Sequence, residues 1–311
     1  MPVAALTVAM ALDVSIEEYP SRVHPVALFG RLVESLDRPW THPRAAGVTV
    51  AVVLPLGVAG LVGAATALAA WYSPLLGALV AGLLLFATVS LRMLLSVGID
   101  VIDSTTPSRA GTADTARDDA ATQTADPEAV RALVGRETAD LSPAQIRSAA
   151  VESLAENLSD GFVAPLFAFV LGAQLSLPVA VGAAVWVKAV NTLDSMLGYH
   201  STPHGWASAR LDDLVMWLPA RITAACLALV GRSVRSLVRA RAWQSETASP
   251  NSGWPMATLA AVLDVRLEKP GAYVLNPDRD LPTVADALRG VRLVGAGGAV
   301  AVGLSGAVLW L

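Results

Sequence analysis

Glu152, Glu156 and Asp160 are each four residues apart, so a helix through them stacks three carboxylates on one face. Like charges at that spacing repel, and a sequence needing only a helix would place a lysine among them. A shared cation, or a metal ion carrying a phosphate, offsets the repulsion; a solvated face beside a membrane also tolerates it. A second cluster, Lys188-Ala-Val-Asn191-Thr192-Leu-Asp194-Ser195, follows an uncharged run of 27 residues, Gly161 to Val187. On a helix Lys188, Asn191 and Ser195 share a face, with Asp194 beside it. Snorkelling explains Lys188 alone but not the polar group around it, and ionisable residues within a membrane default to function. A third cluster, Arg210-Leu-Asp212-Asp213, enters the apolar stretch from Leu214. Arg210 and Asp213 can pair; Asp212 points elsewhere and still needs a partner.

Other chemistries lack their residues. The histidines are His24, His42, His200 and His204, and the one cysteine is Cys226, which excludes a zinc site built on cysteine spacing and any intrachain disulfide. His200 and His204 are four apart without a supporting carboxylate. There is no Gly-x4-Gly-Lys-Ser/Thr loop, no serine in a nucleophile elbow, and no Ser-His-Asp arrangement. Gly295-Ala-Gly297-Gly298 lies in a terminal apolar stretch with no strand before it, so close helix packing explains it better than a dinucleotide. A formal charge of -4 lacks the basic surplus of a nucleic-acid binder.

The elements that must position these groups are membrane helices. Hydrophobic residues make up 54% of the 311 and charged residues 15%, against about 25% charged in a typical soluble domain. Mean hydropathy is +0.55. The expected fold is all-α, a polytopic integral membrane bundle of one catalytic domain with about four to six segments and polar cytoplasmic loops. The 47 residues from Ala45 to Leu91 carry no charge and hold two spans, near 48–70 and 75–97, hinged at Trp71-Tyr72-Ser73-Pro74. Further spans are expected near 162–187, 214–231 and 293–311. The stretch Val3–Leu12 is a short span or an interfacial helix; no positive region precedes it, so it is not read as a signal peptide. Residues 99–150 form a polar region with a mobile loop at 105–127, and 232–292 a basic cytoplasmic region. The excess of Lys and Arg places these, with 13–44, on the cytoplasmic side, and leaves 188–213 opposite. One conflict remains: if 162–187 crosses fully, the first two clusters lie about 30 Å apart. A shared site needs that run to re-enter or bend, which Pro165 and Pro178 permit.

Taken together, the motifs resemble the adenosylcobinamide-phosphate synthase family of cobalamin biosynthesis (CobD/CbiB type). The resemblance rests on Gly135-Arg136-Glu137-Thr138, Glu152-Ser-Leu-Ala-Glu156-Asn157 with Asp160-Gly161 and Ala164-Pro165-Leu-Phe167, and Lys188 to Met196 with Gly198-Tyr199. It continues through Gly205-Trp206, Ala209 to Asp213, Pro219-Ala-Arg221, and Ser249-Pro-Asn251-Ser252-Gly253-Trp254, with His24-Pro25, Gly30 and Ser90-Leu-Arg92 upstream. It covers roughly residues 10 to 290. No single motif decides it; their order does. Departures are Glu137 for the usual aspartate, Ser252 for alanine, a longer acidic loop at 105–127 and a short loop after Tyr199.

The resemblance implies a multi-pass cell-membrane enzyme that joins adenosylcobyric acid to (R)-1-aminopropan-2-ol or its O-phosphate through an ATP-dependent amide bond. Mg²⁺ is expected, with ATP as co-substrate. On this reading Glu152, Glu156, Asn157, Asp160, Lys188, Asn191 and Asp194 carry catalysis. His24, Arg92, Arg136, Thr138, Ser195, Arg210 and Asn251 bind substrate or phosphate. Glu156, Asp160, Asp194, Asp212 and Asp213 hold the metal. Expected partners are the two substrates, the lipid bilayer, and a second copy or other enzymes of the pathway, with no nucleic acid. A transporter with broken helices and a non-catalytic membrane sensor of related fold are the alternatives.

Overall fold

The computed structural model describes residues 1–16, 24–106, 141–198 and 201–311. Helix starts follow the prolines. Pro25, Pro43, Pro74, Pro143 and Pro178 each occupy the first turn of a helix, where the missing N–H costs nothing and the fixed φ suits the turn. The helices are α1 (Pro2–Ile16), α2 (Pro25–Glu34), α3 (Pro43–Tyr72), α4 (Pro74–Phe86), α5 (Leu91–Ser104), α6 (Pro143–Leu158), α7 (Ala164–Ala173), α8 (Leu177–Leu197), α9 (Trp206–Val215), α10 (Trp217–Val230), α11 (Val234–Ala240), α12 (Gly253–Leu263) and α13 (Val284–Trp310). A small antiparallel ribbon, β1 (Leu267–Lys269) and β2 (Tyr273–Leu275), pairs Lys269 with Tyr273.

Four stretches are long and apolar enough to cross a membrane: Pro43–Tyr72, Pro74–Ser104, Pro143–Ala173 and Val284–Trp310. The bent pair α9–α10, at 45°, makes a fifth. The all-α membrane architecture is therefore as expected, the ribbon aside. Large side chains such as Val53, Leu56, Leu61 and Leu68 stand exposed on α3, as a lipid-facing surface requires. The buried core gathers Leu85 and Phe86 of α4, Leu154 and Leu158 of α6, Phe169 of α7, Leu227 of α10, Leu259 of α12 and Val294 of α13.

Several expected boundaries change. The span near 75–97 is interrupted at Ala87–Ser90, between α4 and α5. α1 makes this break tolerable: buried Asp13 accepts from the backbone N–H of Leu91 at 3.1 Å and of Arg92 at 3.4 Å, so a carboxylate from another helix caps α5. The expected basic region 232–292 contains a buried apolar helix, α12, in which every residue but Trp254 is buried. Of the loop expected at 105–127, Thr105 and Thr106 end α5; the remainder lies outside the described residues.

The run 162–187 is not one crossing. Between α6 and α7 a π-helical turn covers Ser159–Val163, closed by the Ala164 N–H bonding to the Ser159 carbonyl. Pro165 explains it: with no N–H, it cannot serve the carbonyl four residues back, and the helix loosens by one residue instead of breaking. α7 ends at Gln174–Ser176, where the Ser176 hydroxyl caps α8 by accepting from the Val179 N–H at 3.4 Å. α8 then packs back along α7. Gly172 lets the two backbones close: a Cβ there would sit 2.7 Å from the Cα of Ala180. Asp160 and Lys188 flank the turn at similar distances in sequence, each about 20 Å along its helix from the tip. Residues 188–198 and 201–213 therefore return towards the level of Asp160, which differs from the opposite placement expected. Hydropathy registers only the missing charges and cannot locate a turn made of Gln174, Leu175 and Ser176.

Candidate functional site

Three elements separated in sequence deliver the polar groups to one place. The π-turn carries Asp160, α8 carries Lys188, Asn191 and Asp194, and α9 carries Asp212. Asp160 lies within electrostatic reach of Lys188 and Asp194. Asp212, itself buried, lies within reach of Asp160, Asp194 and Asp213, and its Oδ1 is 3.5 Å from the Asn191 Nδ2. Gathering three carboxylates in a low-dielectric setting is costly unless cations accompany them. Lys188 supplies one positive charge.

The row continues outward along α6. Glu156 lies within reach of Asp160, Glu152 and Lys269. Glu152 is buried, and both its oxygens have partners: Oε1 accepts from the Ser148 hydroxyl at 2.8 Å and Oε2 from the Tyr273 hydroxyl at 2.7 Å. The Ser148 oxygen in turn accepts from the Glu268 N–H at 2.8 Å. The ribbon is thus pinned to α6 by hydrogen bonds that converge on Glu152, and it brings Lys269 towards Glu156. Ser148, Lys269 and Tyr273 were missed by sequence reasoning. The available signal was Pro270-Gly271, which forms the turn between the strands: the Ala272 N–H bonds the Lys269 carbonyl at 2.9 Å and Gly271 has φ +75°, the backbone a type II turn reserves for glycine.

Behind Lys188 lies an apolar cavity of about 70 Å³ between α2, α3, α4 and α8, lined by Pro25, Phe29, Val58, Leu84, Thr88 and Thr192. It brings the N-terminal His24-Pro25 motif next to the site through Pro25.

Other expected site residues are placed elsewhere. Asn157 is exposed, and its Nδ2 donates to the Ser153 carbonyl at 2.9 Å. Ser195 is exposed and donates to its own helix at the Asn191 carbonyl, 2.9 Å. Polar side chains on the outer faces of α6 and α8 satisfy themselves against local backbone. His24 caps α2, its Nδ1 accepting from the Val26 N–H at 3.1 Å. Arg92 reaches the Val14 carbonyl, which ties α5 to α1. Arg210 is 62% exposed and lies 3.7 Å from Asp213, the pairing their spacing allows, so neither turns its charge wholly to the cluster. Asn251 is buried and does bind: its Nδ2 donates to the Asp213 carbonyl at 2.7 Å and its Oδ1 accepts from Arg221 at 3.3 Å. Arg136 and Thr138 lie outside the described residues.

The five carboxylates expected to hold a metal do not form a protein cage. Among the described residues no three His, Cys, Asp or Glu side chains are grouped closely enough to hold an ion by themselves. Glu156 lies between the two ends, within reach of Asp160 as well as of Glu152 and Lys269, and Asp213 faces Arg210; Asp160, Asp194 and Asp212 lie within reach of one another, with Lys188 near Asp160. That donor set fits Mg²⁺, which keeps several waters and binds through one or two carboxylates and substrate phosphates rather than through a closed cage.

Residues 6–294 match the family model described as CobD/Cbib protein. The chain is 37% identical over 333 residues to the cobalamin biosynthesis protein CobD of Rhodobacter capsulatus, covering 100% of this chain and 98% of that one. It is 35% identical over 328 residues to the probable cobalamin biosynthesis protein CobD of Methanothrix thermoacetophila, again covering 100% and 98%. A probable CobD of Methanothermobacter thermautotrophicus is 36% identical over 288 residues, 89% of this chain and 88% of that one. No solved structure matches.

Proposed function

Because the chain belongs to the CobD/CbiB protein family of cobalamin biosynthesis, we propose that it is an amide-forming ligase joining adenosylcobyric acid to (R)-1-aminopropan-2-ol or its O-phosphate at the expense of ATP. The observation that carries this reading is the meeting of Asp160, Lys188, Asp194 and Asp212 from three segments in one partly buried place.

A carboxylate oxygen is a poor leaving group, so amide formation at neutral pH needs activation. The substrate carboxylate attacks the terminal phosphorus of ATP, ADP leaves, and an acyl phosphate forms; the amine then attacks the acyl carbon, phosphate departs, and the amine's proton passes to a base. Bringing one anion against another demands fixed positive charge. Lys188 provides it on α8, within electrostatic reach of Asp160. One or two of Asp160, Asp194 and Asp212 would hold Mg²⁺ together with the polyphosphate, and the ion would supply neutralisation of its charge. One of the same carboxylates can take the amine's proton. Asn191, bonded to Asp212, orients that carboxylate. The apolar wall behind Lys188 keeps water from the activated acyl group. The Lys and Arg excess around the polar segments supports a cell-membrane enzyme with its site towards the cytoplasm.

Complementation tests the reading. In a strain lacking this step, the wild-type chain should restore cobalamin-dependent growth without added cobinamide. Asp160→Asn, Asp212→Asn and Lys188→Met should fail while accumulating in the membrane, with amide formation down at least about 100-fold. Growth that still requires cobinamide when the wild-type chain is present, or substrate flux in vesicles without ATP-linked amide formation, would refute it.

A further inference from the structure

Arg221 sits on α10, one turn after Trp217, inside a stretch otherwise free of charge. A guanidinium in such a stretch is expensive to keep without a counter-charge. Its side chain is nonetheless held with care. Its Cζ lies 4.2 Å from the centre of the Trp217 ring and 5.3 Å from that of Trp254. Its Nη1 donates to the Trp217 carbonyl at 2.5 Å and to the Asn251 Oδ1 at 3.3 Å. Asn251 is buried and is itself fixed by donating to the Asp213 carbonyl at 2.7 Å. These contacts fix one edge of the fork. Among the described residues Arg221 has no carboxylate partner, and neither Nε nor Nη2 makes a hydrogen bond. The indole Nε1 of Trp254, beside it, is buried and also lacks an acceptor among the described residues. Two indoles and an amide thus hold a cation in place while donors remain unmet on it and next to it.

We infer that Arg221 is an oxyanion anchor, and that its ligand is a phosphoryl group of a substrate bound at the Asp212 end of the site. A planar fork with one edge fixed presents its remaining N–H groups in the geometry that phosphate oxygens accept. The location follows from the chain: Asn251 hangs from the Asp213 backbone, one residue from Asp212, so the anchor and the carboxylate cluster share a support. Asp213 directs its own charge to Arg210, 3.7 Å away. This inference rests on the functional reading above for the identity of the anion as a substrate's. The same phosphate chemistry is offered by a lipid headgroup, since Trp217 and Leu218 stand exposed on α10, and the experiment separates the two sources.

The test titrates inorganic pyrophosphate into the full-length protein in phosphate-free maltoside micelles and follows binding by calorimetry. Arg221→Gln should weaken binding at least about tenfold, with Arg221→Lys between it and wild type. Asn251→Asp, which gives the guanidinium an internal counter-charge without deleting it, should weaken binding likewise and covers the case in which Arg221→Gln does not fold. Unchanged pyrophosphate affinity in Arg221→Gln and Asn251→Asp overturns the inference, as does a wild type that binds none. Weaker binding of phosphatidylglycerol added to the micelles, at unchanged pyrophosphate affinity in Arg221→Gln, would instead make Arg221 a lipid contact and also overturn it. If the wild type binds pyrophosphate through Arg221 yet forms no amide from the proposed substrates, the anchor stands and the functional reading falls.

Discussion

The Tyr273 hydroxyl donates to Glu152 at 2.7 Å and so fastens a three-residue strand near the C-terminal end of the chain to the helix that carries the carboxylate row. Both oxygens of Glu152 are engaged, by Tyr273 and by Ser148, and the side chain is 4% exposed. This geometry supports a positioning role for Glu152 at the ribbon, with the proposed reacting groups further along the row. Tyr273→Phe deletes one donor to a buried carboxylate and should cost about 1–3 kcal/mol, read as a lower thermal midpoint in detergent. Glu152→Gln should lose stability similarly while keeping more amide-forming activity than Asp160→Asn. Equal loss of activity at unchanged stability would return Glu152 to the reacting groups.

Asp264 ends α12 with left-handed backbone, φ 61°, and accepts from Arg239 and Arg279 at 3.0 Å each. The Arg239 hydrogen bond, followed by that of Arg279, holds its carboxyl below the usual aspartate value of 3.8. A depressed carboxyl adds stability that is complete above its unfolded value and is lost as pH falls through the folded one. The thermal midpoint of the wild type should therefore drop on acidification below about pH 4, and Asp264→Asn should flatten part of that acid limb while lowering the midpoint at neutral pH. Because the side chain is half exposed, the effect should be small and should shrink further in high salt.

Much of this arrangement is written locally in the sequence, and the rest is not, for identifiable reasons. Uncharged runs translate directly into apolar helices, so α3 and α13 stand where the expected spans lie, only longer. Carboxylates spaced by four place Glu152 and Glu156 on one face because that is a property of a single helix. The convergence of Asp160 with Lys188 depends on a turn at Gln174–Ser176 and on Gly172 meeting Ala180, and hydropathy is blind to both. The capping of α5 by Asp13 joins positions nearly eighty residues apart, and nothing local to either announces it. Asn157, Ser195 and Arg210 stand exposed on their helices, and which face a residue takes in the folded bundle is not encoded in a motif. α12 went unrecognised because its apolar residues sit between basic segments that dominate the regional charge.

The close approach at the tip of the α7–α8 hairpin gives a mechanical test of the shared site. A Cβ on Gly172 would meet the Ala180 Cα and the Val179 carbonyl oxygen, each at 2.7 Å. Both are backbone atoms and cannot rotate aside, so the helices must separate. Overpacking of this kind costs about 1–3 kcal/mol. Spreading the tip tilts α8 against α7 and shifts Lys188 relative to Asp160. Gly172→Ala should therefore lower the thermal midpoint and reduce amide formation together, and Gly172→Val should do so more severely. Gly60 of α3 provides the control, since nothing lies within 4 Å of a Cβ placed there. Gly60→Ala should leave activity unchanged and hold or raise stability, because alanine is the better helix former by roughly 0.5–1 kcal/mol. A Gly172→Ala protein with wild-type melting and turnover would mean that the hairpin does not set the spacing of Asp160 and Lys188.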